Sequence, residues 1–106
     1  MARFAVRPEI NNASSDDYTR LHEEMYKRNI YRVIQGADNV WYDLPTGTYR
    51  AFKELTLDQF YQLALDAILV IVNQYKPAKN YELIVFEFNQ SRWFLNVNTD
   101  KARLPK

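Results

Sequence analysis

Cysteine is absent from this 106-residue chain, so disulfides, thiol catalysis and a thiolate metal site are excluded. Histidine is nearly absent too. His22 stands alone, which argues against a zinc site and against a Ser-His-Asp triad. Charge of one sign is not in excess: the formal net charge is +1 at pH 7, so no global basic field announces nucleic acid. Long hydrophobic runs are missing, and the longest, Ala67 to Val72, is far too short to span a bilayer and follows Asp66. The opening residues MARFAVRPEI lack the apolar stretch of a signal peptide, so a cytoplasmic location without a membrane partner is the expectation. Internal repeats and low-complexity linkers are absent as well.

What is present forms a core. Hydrophobic residues make up 47% of the chain and charged ones 25%, the balance of an ordinary globular protein with one domain. Aromatics reach 15%, and eight of them are tyrosines, which bury large areas while keeping a polar handle.

Arg3 to Arg7 alternates, with Phe4 and Val6 on one face and Arg3, Ala5 and Arg7 on the other. This predicts a first strand that ends at Pro8, which has no N–H to give to a ladder. Ser14 and Ser15 with Asp16 and Asp17 offer an N-cap and first-turn negative charge for a helix over about Asp16 to Asn29. On that helix Tyr18, Leu21, Met25 and Asn29 share one face, with Arg20 and Lys27 opposite. A second strand, Ile30 to Gln35, stops at the turn-rich Gly36-Ala37-Asp38-Asn39, and Val40 to Asp43 resumes strand pairing. Pro45-Thr46-Gly47 reads as a tight turn into a third strand, Thr48 to Lys53.

Thr56 with Gln59 is a capping-box pattern that opens the second helix. Its apolar arc runs from Leu57 to Tyr75 and ends at Lys76-Pro77. Leu63, Leu69 and Val70 fall outside the arc, as deeply buried or scattered residues or as a partner surface. Tyr81 to Phe88 is apolar on both faces, as expected of a central strand, and Arg92 to Val97 offers a fifth short one. Residues 98–106 read as a polar tail beyond a single domain over residues 1–97.

The resulting order, β-α-β-β-α-β, is an α+β pattern and matches the ferredoxin-like fold, two helices on one face of an antiparallel sheet. Fold alone does not give function, because this architecture hosts metal carriers, RNA binders, nucleases and regulatory domains. Three constellations could carry chemistry. On the open sheet face, Arg3 and Arg7 could be joined by Arg32 and Arg50, with Phe52 and Phe86 as stacking platforms for single-stranded RNA. The same aromatics could equally be core or bury a homodimer, and TYRAFKE is a poor match to the third-strand motif of an RRM. On the first helix, Glu23 with Lys27 and Glu24 with Arg28 are favourable i,i+4 pairs, and His22 sits one turn from Tyr18 and Tyr26. A lone histidine there is commonly a packing residue, but its titration range suits acid–base work on an RNA 2′-hydroxyl. For a hard cation, Glu9 with Asp16 or Asp17 supplies oxygens but no cluster, so neither a metal nor a cofactor is expected.

The segment Tyr18-x-Arg20-Leu21-x-x-x-Met25-Tyr26-x-x-Asn29-Ile30 resembles the first helix and second-strand entry of the GhoS-type endoribonuclease antitoxins. The Ser-rich loop before the helix, Leu44-Pro45 before the third strand and Leu55-Thr56 before the second helix agree in layout, over about residues 3 to 75. The resemblance implies a ferredoxin-like fold similar to that of the CRISPR-associated ferredoxin-like nucleases, and cleavage of a small membrane toxin's messenger RNA. Basic residues on the first helix are implicated in that family. Arg20 is kept, whereas His22 stands where the related pattern has an arginine. The expectation is a metal-independent endoribonuclease with Arg20 and His22 as catalytic residues, and Arg7, Arg28, Arg3 and Arg50 on RNA. The alternative is a non-enzymatic module that dimerises or binds a protein through its open sheet face.

Overall fold

The first strand, β1 (Ala2–Ile10), runs through the middle of the molecule. It is followed by α1 (Ser15–Lys27), β2 (Val33–Gln35), β3 (Trp41–Asp43), β4 (Tyr49–Lys53), α2 (Leu57–Val72) and β5 (Tyr81–Phe88). A 3-10 turn at Lys101–Arg103 lies near the end of the chain. The structure is a computed structural model that describes residues 1–106.

β1 pairs antiparallel with β4 on one side and with β5 on the other, so the sheet order is β4-β1-β5, and β2 with β3 forms a separate hairpin. The result is an α+β fold, two helices packed on a three-stranded antiparallel sheet. Both helix starts follow from side-chain chemistry. Ser14 accepts from the Asp17 N–H while the Asp17 carboxylate accepts from the Ser14 N–H, and Thr56 with Gln59 does the same for α2.

The core lies between the sheet and the helices. Phe4, Val6 and Ile10 of β1 and Tyr49 and Ala51 of β4 meet Leu21 and Met25 of α1 and Phe60, Ala64, Ile68 and Ile71 of α2. Phe4 and Phe60 stack with centroids 4.2 Å apart and planes 6° from parallel. Of the residues outside the α2 arc, Leu63 and Leu69 are partly buried against this core, and Val70 is exposed.

Three expectations about strands are corrected here. β1 continues through Pro8 to Ile10, because beyond Val6 it pairs with β5 alone and one of its sides is a sheet edge, where proline is tolerated. β5 is an edge strand, with β1 in the centre. Its two apolar faces have different fates: Leu83 and Val85 pack on the core, while Ile84 and Phe86 stand half-exposed on the face the helices leave open. Of Arg92 to Val97, only Val97 pairs, in an isolated bridge with Tyr42. Residues 98–106, expected as a polar tail, are docked: Asn98 donates to Asp43, Arg103 pairs with Asp43, and Tyr26 donates to the Leu104 carbonyl.

The exit of α1 decides where the site lies. Asn29 adopts φ 58°, and the N–H groups of Asn29 and Ile30 bond back to the carbonyls of Tyr26 and Met25. This is a Schellman motif closed by Asn at the left-handed position, with Ile30 and Met25 both buried beneath it. It reverses the chain so that Tyr31 exchanges both backbone hydrogen bonds with Arg50 of β4, each 2.8 Å. Arg32, next in line, is thereby delivered beside α1.

Candidate functional site

A cleft of about 730 Å³ lies between α1, the Ile30–Arg32 segment and the docked C-terminal turn. From α1 it takes Thr19, His22, Glu23, Tyr26 and Lys27, the i, i+3, i+4, i+7 and i+8 positions of one helix face. Arg32 comes from the α1 exit, and Asp100 and Arg103 from the C-terminal segment. No helix of the molecule is long and apolar enough to cross a membrane.

His22 is the one imidazole lining this cleft. Its Nδ1 lies 2.5 Å from the hydroxyl of Tyr49, a residue buried in the core, so one ring nitrogen is anchored and Nε2 is the one left for the cleft. Burial, then the guanidiniums of Arg32 and Arg103, lower the imidazole pKa from 6.5 to about 4. At neutral pH the ring is uncharged. The Tyr49 hydroxyl is pushed upward by burial and stays protonated.

Arg32 is half-buried and forms no ion pair; Arg103 is 3.5 Å from Asp43. Burial, then the repulsion of Arg103, lowers the Arg32 pKa from its ordinary value. Two guanidiniums that raise each other's energy across a solvent-open cleft favour an anion between them, and a phosphate matches their forked donors. Lys27 adds a third cation at the rim, tied to Glu24 at 2.8 Å.

The residues expected to act together are divided among separate places. His22 lines the cleft, but Arg20, two residues earlier and so roughly 200° around the helix, faces away. It forms an ion pair with Asp17. Asp17 is buried and also accepts from Ser14 and the Tyr75 hydroxyl, with the Tyr75 bond chief among the causes that lower its pKa. It therefore ties the start of α1 to the chain just beyond α2. Arg28 is held by Glu24, donating to its carboxylate at 3.0 Å and to its carbonyl at 2.8 Å. Arg3, Arg7 and Arg50 lie on the open sheet face, Arg3 with its guanidinium 5.5 Å from the Phe52 ring centroid. Glu9 sits opposite Glu82 in the β1–β5 register, away from Asp16 and Asp17.

Arg32 could join the open face only if its strand kept a compatible register; regular pairing begins only at Val33, and Arg32 turns to α1 instead. Arg103 had no signal in the sequence beyond being a cation in a polar tail. No protein-family model matches this chain, and no curated protein resembles it closely enough to count as a match.

The depressed histidine makes stability depend on pH in a defined window. Because the folded pKa lies below the unfolded value, the unfolded chain binds more protons between about pH 4 and 6.5. Stability is therefore full above pH 6.5 and falls as pH drops toward 4. With a partly solvated ring the loss should be on the order of 1 kcal/mol. Urea unfolding at pH 4.5 and 7 should show this loss in wild type, and His22→Asn should flatten it.

Proposed function

We propose that this chain is a small RNA-binding endoribonuclease with the ferredoxin-like arrangement, similar to the GhoS-type antitoxins, and that it seats the RNA backbone in the α1 cleft. The observation that carries the reading is His22, kept uncharged beside the guanidiniums of Arg32 and Arg103 in one open cleft. That pairing meets the needs of transesterification: a proton acceptor for a 2′-hydroxyl and cations for the phosphate it attacks. The β4-β1-β5 order, extended beside β4 by the Tyr31–Arg50 bridge, supports the ferredoxin-like reading. The segment from Tyr18 to Ile30 supports the family resemblance.

In this reading Nδ1–H donates to the Tyr49 hydroxyl oxygen, which leaves the Nε2 lone pair for the 2′-hydroxyl proton. The 2′-oxygen then attacks phosphorus and the bond to the 5′-oxygen breaks, that oxygen taking a proton from water as it leaves, which gives a 2′,3′-cyclic phosphate and a 5′-hydroxyl end. A base with a pKa near 4 is weak at neutral pH. A phosphate between Arg32 and Arg103 neutralises the two charges that help depress it, so bound RNA raises the basicity of its own catalyst. Arg20, which the resemblance makes catalytic, supports the site through Asp17.

The test is cleavage of single-stranded RNA by wild type, His22→Ala, Arg32→Gln and Arg20→Gln, in EDTA and in Mg²⁺. The expected result is cutting in EDTA with cyclic phosphate ends, lost in folded His22→Ala and Arg32→Gln. Binding without cutting by wild type under both conditions would leave a non-enzymatic RNA-binding module.

A further inference from the structure

The open sheet face holds a second feature that the α1 cleft does not use. A groove of about 460 Å³ runs between β1, β4 and β5, the loop before β4, and the segment after β5 that folds back over the sheet. Its walls include Phe86, Phe88, Trp93 and Leu95, and Thr48 and Arg50 also line it. Phe86 is 51% exposed, so this face offers an aromatic surface to a ligand.

Two buried side-chain polar atoms in the molecule lack a hydrogen-bond partner, Arg50 Nε and Thr48 Oγ1, and both belong to this groove. Unsatisfied groups of this kind are rare in folded proteins and cost free energy until something meets them. Arg50 is the more telling one. Its side chain has no ion pair and no hydrogen bond, and Arg3 lies on the same face, one row along β1 from Ala5, the residue opposite Arg50. Burial, then the Arg3 charge, lower its pKa. A half-buried guanidinium with no carboxylate beside it calls for an anion, and the aromatic wall calls for a flat partner.

We propose that this groove is a nucleotide-binding site, with the base against Phe86, Phe88 and Trp93 and the phosphate on Arg50 and Thr48. Its volume lies in the range of small-molecule sites. Stacking on sheet-borne aromatics accepts any base, because every base has a flat face. The choice of a nucleotide over other flat anions rests on the RNA reading; the need for an anion at Arg50 does not.

Trp93 is a built-in reporter, and Trp41 is the only other tryptophan. In a Trp41→Phe background, adenosine 5′-monophosphate should quench Trp93 saturably. Phe86→Ala, at an exposed position, and Arg50→Gln, at a half-buried one, should each weaken it at least about tenfold, the scale of one lost charge-assisted bond or base stack. Adenosine and ribose 5-phosphate, which each offer half the ligand, should bind weaker by a similar factor. No quenching, or quenching indifferent to Arg50→Gln, would overturn the proposal. So would a dimer in sedimentation that Phe86→Ala dissolves while the mononucleotide has no effect, since a second copy would then cover the face. Arg32→Gln separates the two sites: it should leave this quenching unchanged whether or not the α1 cleft cleaves RNA.

Discussion

Replacing Arg32 with glutamine should lower the affinity for single-stranded RNA by roughly ten- to a hundredfold, the scale of one charge-assisted phosphate contact. The reason is geometric. Arg32 is the cation of the cleft without a carboxylate partner, whereas Arg103 is engaged by Asp43 and Lys27 by Glu24. Asp100 and Asp43 attract it from a distance, but no direct ion pair occupies its donors, which leaves them for a ligand. Removing it should also lessen the dependence of log affinity on log salt by about 0.7, the contribution of one phosphate on a single strand. A second readout comes from His22. Its pKa, about 4 in the wild type, should rise in Arg32→Gln because one of the charges that depress it is gone, although burial continues to hold it below 6.5. Histidine resonances followed through a pH titration measure that rise directly. Arg20→Gln should behave in the opposite way, lowering stability by stripping a partner from buried Asp17 while leaving the affinity of the folded protein nearly unchanged.

The largest effect on stability is expected from Phe60→Ala. Phe60 is wholly buried on α2, and its ring stacks on Phe4 in the middle of the central strand. The substitution removes a large apolar side chain, one half of an aromatic pair and one of the contacts that hold α2 against β1. Neighbours in a close-packed interior relax only partly, so a cavity remains. The expected cost is about 3–5 kcal/mol, a large share of the stability of a domain this size. Thermal denaturation should show a midpoint lower by on the order of 15–30 °C, measured at pH 7 where the histidine is uncharged. Phe60→Leu keeps most of the volume and should lose less than half as much.

Much of this architecture was legible in local chemistry. The capping box of Thr56 and Gln59 starts α2 where the letters put it, and the cap at Ser14 does the same for α1. Asn29 ends α1 as expected because a short polar side chain tolerates the left-handed backbone there. The alternation in β1 put Phe4 and Val6 inside and Arg3 and Arg7 outside. Non-local pairing was less legible. An apolar run such as Tyr81 to Phe88 looks the same whether a second sheet neighbour or an open face lies beside it, so its edge position was hidden. Pro8 misled for a related reason, since its tolerance depends on where β4 stops.

The site divides in the same way. His22 was legible as the single titratable ring on an amphipathic helix. Arg32 and Arg103 were not, because each reaches the cleft through a chain reversal or a docked segment. The path depends on particular bonds: Tyr31 to Arg50 for the first, and Asn98 to Asp43 with Tyr26 to Leu104 for the second. Side chains that sequence spacing grouped together, Arg20 with His22 above all, part company because two residues on a helix face nearly opposite ways.

The claim that RNA backbone lies in the α1 cleft is tested most directly by mapping a non-cleavable, 2′-O-methylated single-stranded RNA onto isotope-labelled protein by NMR. The account predicts shifts concentrated on His22, Tyr26, Lys27, Arg32 and Arg103, the His22 ring moving toward a higher pKa as the phosphate binds. Saturable binding that leaves these residues still and the His22 titration unmoved would contradict it.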